Sequence, residues 1–74
     1  IEVHYKPSKR NEYALYVYND KNIRIDTLCY QSSNIFKYNF PSDGTYRIRC
    51  FVKDSITGEK YEFSNYKTIK SSIL

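Results

Sequence analysis

Between Pro41 and Lys53 the chain makes a turn and then alternates strictly, and no other stretch constrains the fold as much. Pro41, Ser42, Asp43 and Gly44 are turn formers, each for its own reason. Pro presets its own φ, Ser and Asp bond the local backbone, and Gly accepts positive φ. After Gly44, the residues Tyr46, Ile48, Cys50 and Val52 alternate with Thr45, Arg47, Arg49, Phe51 and Lys53. A period of two is the pattern of a half-buried strand. The first set is expected to face a core and the second to face away, with Phe51 an apolar residue on the polar side.

The rest of the chain keeps the same cadence. Ile1–Tyr5, Glu12–Tyr18, Asn22–Tyr30, Ile35–Phe40, Thr45–Lys53 and Lys60–Ile69 read as strands of β-branched and aromatic residues. Lys6–Asn11, Asn19–Asn22, Gln31–Asn34 and Ser55–Gly58 read as loops and turns, with Gly58 suited to positive φ. Tyr13, Leu15 and Val17 are expected inward, leaving Tyr16 and Tyr18 more exposed. Ile23, Ile25, Cys29, Tyr61 and Phe63 are also expected inward, and Phe36, Tyr38 and Phe40 share one face. No stretch carries an i, i+3, i+4, i+7 apolar pattern long enough for a helix.

The Gly44-Thr45-Tyr46 triplet resembles the entry to the penultimate strand of polycystic kidney disease and three-tyrosine domains. Phe40, six positions before Tyr46, resembles the large apolar residue that precedes the corner tyrosine of fibronectin type III domains. The resemblance implies an immunoglobulin-like sandwich with a tyrosine corner, the Tyr46 hydroxyl bonding backbone just upstream. The chain departs from these families in having no tryptophan and in separating Pro41 from Gly44 by two residues. The expected fold class is therefore all-β: a small immunoglobulin or fibronectin III-like β-sandwich of six or seven short antiparallel strands.

Seventy-four residues make one domain, expected over 1–70, with 71–74 a frayed end or linker. A seven-strand sandwich usually takes about 100 residues. A trimmed version must draw stability from large side chains, and nine tyrosines and four phenylalanines meet that need. A chain that starts at Ile1 and lacks methionine reads as an excised domain or mature fragment. The net charge of +4 reads first as a solvated lysine surface, and second as a face for an acidic partner. Cys29 and Cys50 are expected as two free, inward thiols, since no cysteine falls in the second strand where the usual sandwich bridge would begin.

Chemistry-bearing constellations are scarce. A zinc site needs about four ligands in local pairs, and one histidine with two isolated cysteines does not supply them. His4 on a terminal strand is a poor general base. Gly44 and Gly58 are explained by turns rather than by a phosphate loop. The Asn19–Asn22 turn puts Lys21 among its oxygens, which argues against calcium. The expectation is a protein that is not an enzyme, with no cofactor and no metal.

What remains is a surface. If the third, fifth and sixth strands share a sheet, its outer face carries Arg24, Leu28 and Tyr30, then Arg47, Arg49, Phe51 and Lys53, then Lys60. Arg24, Tyr30, Arg47, Arg49, Phe51 and Lys53 are the candidate interaction residues. Aromatic rings stack on sugars or bases, and arginine pairs with carboxylate or phosphate. Contact with neighbouring domains of a parent protein, or plain cross-strand pairing, explains the same residues. The expected function is a spacer or interdomain docking module, monomeric in isolation. The second reading is a carbohydrate-binding module taking an anionic glycan. Nucleic acid ranks third, and no apolar run is long enough to span a membrane. By resemblance alone, the parent is expected to be a bacterial, extracytoplasmic protein.

Overall fold

The computed structural model describes residues 1–70; the frayed end expected at 71–74 lies outside the described residues. Four antiparallel strands form one sheet: β1 (Asn11–Tyr18), β2 (Arg24–Gln31), β3 (Gly44–Asp54) and β4 (Lys60–Ile69), in the order β2-β1-β3-β4. The expected six or seven strands are therefore four, all-β as anticipated. The two central strands are the ones with the cleanest alternation. Tyr13, Leu15 and Val17 on β1 stand beside Val52, Cys50 and Ile48 on β3, all buried.

A thinner layer covers that buried face. Ile1–Val3 runs against Asn34–Phe36 with one bridging pair, Glu2 with Ile35. The Val3 amide donates to the Asn34 carbonyl at 2.8 Å, the Phe36 amide to the Ile1 carbonyl at 2.7 Å, and the Asn34 side-chain amide to the Val3 carbonyl at 3.0 Å. The first and fourth expected strands, Ile1–Tyr5 and Ile35–Phe40, thus come down to this short contact. Their side chains still do what the sequence asks of them. Val3 and Phe36 are buried, and Ile1, Tyr5, Tyr38 and Phe40 pack against the same core. With so little of the second layer paired along its length, few backbone bonds extend it into a ladder.

The β1–β2 and β3–β4 connections are local and polar. Asn19 Oδ1 accepts from the Lys21 and Ile23 amides, each at 3.0 Å, and Asn22 takes φ 60°. Asp54 Oδ1 accepts from the Ile56 and Thr57 amides, and Gly58 takes φ 76°. Both are side-chain-mediated turns of the kind Asn, Asp and Gly form most readily. One buried polar side chain, Asn11, is satisfied by the Lys6 carbonyl at 2.8 Å and the Tyr13 hydroxyl.

β2 overturns several expectations at once. Opposite the two steps from Tyr13 to Leu15 lie three steps of β2, from Gln31 to Leu28; opposite Val17 to Tyr18 lie two, from Asp26 to Arg24. Each extra residue is a bulge, and each bulge reverses the face on which later residues fall. Leu28, expected outward, packs against the core. Ile23 and Ile25, expected inward, are 56% and 39% exposed, and Cys29 is exposed as well. Both cysteines are free. Tyr61, also expected inward, is 48% exposed, because it lies on the edge strand, where its ring meets that of Tyr5 at 5.5 Å and its hydroxyl donates to Glu59 at 3.0 Å.

Candidate functional site

The sheet's outer face collects the candidate residues. β3 contributes Arg47, Arg49, Phe51 and Lys53, the polar half of its alternation. β1 lies next to it and contributes Tyr18, Tyr16, Ala14 and Glu12 in direct register with those four. On the far side of β1, Arg24 and Tyr30 reach the same face because the two bulges bracket the inward residues Asp26 and Leu28. All six candidate residues are therefore brought together on one surface. Leu28, which accompanied them in the sequence reading, is not.

On that surface the cations lie on the rings. The Arg47 guanidinium is centred 4.0 Å from the Tyr18 ring, Arg24 is 4.7 Å from Tyr16, and Lys53 Nζ is 4.6 Å from Tyr30. Arg49 is 5.0 Å from Phe51, which meets Tyr16 edge to face at 4.8 Å. A cation over a ring face is attracted by the ring quadrupole, by about 0.5–1 kcal/mol where exposed. Arg47 also donates from Nε and Nη2 to Asn22 Oδ1, at 3.0 and 2.9 Å, and from Nη1 to Ser64 Oγ. It ties the β1–β2 loop across β1 to β3 and on to β4.

Charge compensation is uneven. Arg49 pairs with both oxygens of Glu62, at 3.0 and 2.8 Å, and that bond is the first cause holding its proton more tightly than usual. Lys53 is 4.0 Å from Glu12. Among the described residues Arg24, Arg47 and Lys60 have no carboxylate within ion-pair reach. The face keeps an excess of positive charge that its own residues do not neutralise. Desolvation, then Tyr16 and Glu12, push the Tyr30 hydroxyl upward, so that ring stays neutral beside the lysine.

A flat sheet face offers small ligands little burial, but this one has a dip. Ala14 stands where Tyr16, Tyr30 and Phe51 surround it, and a hollow of about 280 Å³ opens above it, rimmed further by Lys60 and Glu62. Its apolar floor and charged rim follow from one small residue among large ones.

The sequence reading missed Tyr16 and Tyr18 as members of this face. Their exposure was legible from the alternation, but β1 was not placed within this sheet. His4 lies elsewhere, exposed and 3.7 Å from Glu2. Among the described residues no group of three His, Cys, Asp or Glu side chains is placed to hold a metal, and no helix is long and apolar enough to cross a membrane. Comparisons with protein-family models, curated proteins and solved structures find no match to this chain.

Proposed function

We propose that this domain is a non-catalytic accessory module whose outer sheet face docks against an acidic surface of a neighbouring domain in a larger protein. The observation that carries the reading is the cation-on-ring stripe of Arg24, Arg47, Arg49 and Lys53 over Tyr16, Tyr18, Phe51 and Tyr30, whose Arg24 and Arg47 have no carboxylate within ion-pair reach among the described residues. Rings held by their own cations form a firm, broad contact surface, and excess positive charge selects an acidic partner. An immunoglobulin-like parentage is part of the proposal. In its favour stand the strand order, a thin second layer over the buried face, and a Tyr46 hydroxyl that bonds the Ser42 carbonyl. By the same resemblance, we place the parent at the bacterial cell surface or among secreted proteins.

The test pairs the isolated domain with the intact parent. Arg24→Glu combined with Arg47→Glu should loosen the parent, read as faster proteolysis between its domains, while the isolated domain binds no glycan or oligonucleotide at low salt. An unchanged parent would remove the docking reading.

The hollow over Ala14 favours a second reading, an anionic glycan seated on Tyr16, Tyr30 and Phe51. In that case a saturable titration would shift Arg49 and Phe51 resonances. Affinity would fall with salt as counterions are released, and Phe51→Ala would weaken binding by roughly 1–3 kcal/mol through lost stacking.

A further inference from the structure

We propose that β4 is a self-association edge, along which two copies of this chain pair antiparallel about a two-fold axis at Tyr66, joining their sheets into one. The two edges of the sheet differ.

β2, one edge, carries two bulges that interrupt its outward row of backbone donors and acceptors. β4, the other, pairs with β3 through ten consecutive residues, from Lys60 with Lys53 to Ile69 with Gly44, without a shift. Among the described residues no strand pairs with its outer side. A long, regular, unpaired edge is a template for another strand. Its exposed residues include Tyr66, at 75%.

The occupant follows from the chemistry of β4 itself. In a two-fold antiparallel pair, a residue faces the partner residue lying equally far beyond the axis, on the same face of the sheet. With the axis at Tyr66, Glu62 faces the partner's Lys70 and Ser64 faces the partner's Thr68, all on the outer face. On the inner face Phe63 meets the partner's Ile69. Every one of these contacts occurs twice. Phe63 and Ile69 are only partly buried within a single copy, so the pairing covers apolar surface that the thin second layer leaves open. Neighbouring registers do worse. An axis at Asn65 sets Lys60 against the partner's Lys70 and Phe63 against the partner's Lys67. An axis at Ser64 creates no opposite-charge pair and sets Phe63 against the partner's Asn65. The expectation of a monomer takes no account of an edge that complements itself.

Sedimentation equilibrium of the chain from micromolar to millimolar concentration tests this. A concentration-dependent dimer is expected. Lys70 is exposed and lies one residue past β4, so Lys70→Glu leaves the fold intact. It should weaken the dimer about tenfold, since two exposed ion pairs become two repulsions. Glu62→Lys should weaken it further, since it also removes the partner of Arg49 within each copy, and the double swap Glu62→Lys with Lys70→Glu should recover the part that belongs to the contact with Lys70. Amide exchange along β4 should slow as concentration rises, a readout that does not depend on any variant folding. Ile25→Ala, on the opposite edge strand β2, should leave the dimer unchanged. A monomer at all concentrations overturns the proposal. So does a dimer indifferent to Lys70→Glu, one broken by Ile25→Ala, or one whose β4 amides gain no protection.

Discussion

The Tyr46 hydroxyl donates to the Ser42 carbonyl at 2.7 Å and lies 3.2 Å from the Ser42 hydroxyl. Tyr46 is 4% exposed and its ring is 4.8 Å from that of Phe40. One side chain thus anchors the crossover from β2 to the start of β3, in the place where the turn-then-strand pattern puts it. Tyr46→Phe leaves the Ser42 carbonyl without its donor, which should destabilise the domain by roughly 1–3 kcal/mol. Urea unfolding with an unchanged m-value checks this, and a loss within error would show that the contact is incidental.

The bulges in β2 make opposite predictions for neighbouring apolar residues. Leu28→Ala removes a side chain packed on the core, whereas Ile25→Ala trims one that is 39% exposed. The first should cost about 2 kcal/mol or more, the second under about 1 kcal/mol. Equal losses in thermal unfolding would contradict the register assigned to β2. Leu15→Ala, at a fully buried site on β1, sets the upper mark at about 2–5 kcal/mol.

The two thiols should differ in reactivity. Burial pushes the Cys50 thiol up to about 11, so at neutral pH it is protonated as well as enclosed. Cys29 is exposed. Alkylation of the native, unreduced protein followed by mass spectrometry should label Cys29 promptly and Cys50 only after unfolding. Equal labelling rates, or no labelling with a mass two hydrogens lower, would refute this.

Acid should act partly through Asp54. The Thr57 amide, then the Arg10 guanidinium and the Ile56 amide, hold its carboxyl down to about 2. A carboxyl depressed in the folded state contributes stability that is complete above its unfolded pKa near 3.9 and is lost as pH falls toward the folded value. The hairpin should therefore weaken between about pH 4 and pH 2. A carboxyl-detected NMR titration reads the Asp54 pKa directly. Arg10→Ala, which removes the contact from Arg10 Nε at 3.1 Å, should raise it.

The candidate face was legible in part, and one portion of it held for a reason the sequence did not contain. Arg47, Arg49, Phe51 and Lys53 follow from the alternation of β3 alone. Arg24 and Tyr30 share sequence parity with Leu28, yet they face outward while Leu28 faces the core, because a bulge intervenes on each side. Tyr16 and Tyr18 had the right exposure but no assigned neighbours until β1 was placed beside β3.

By itself the sequence determined what is local: where the four strands of the sheet and their turns lie, that Leu15, Val17, Ile48, Cys50 and Val52 face a core, that Gly58 and Asn22 sit in turns, and that Tyr46 opens β3. These depend on side-chain period and on φ preferences, which act over a few residues. Tertiary structure alone decided what is non-local. Among the described residues it inserted β1 between β2 and β3, reduced the second layer to one bridge, reversed β2 twice, and left the outer side of β4 unpaired. Strand order and bulges depend on which partner a strand finds across the sheet, and alternation along one strand carries no record of that partner.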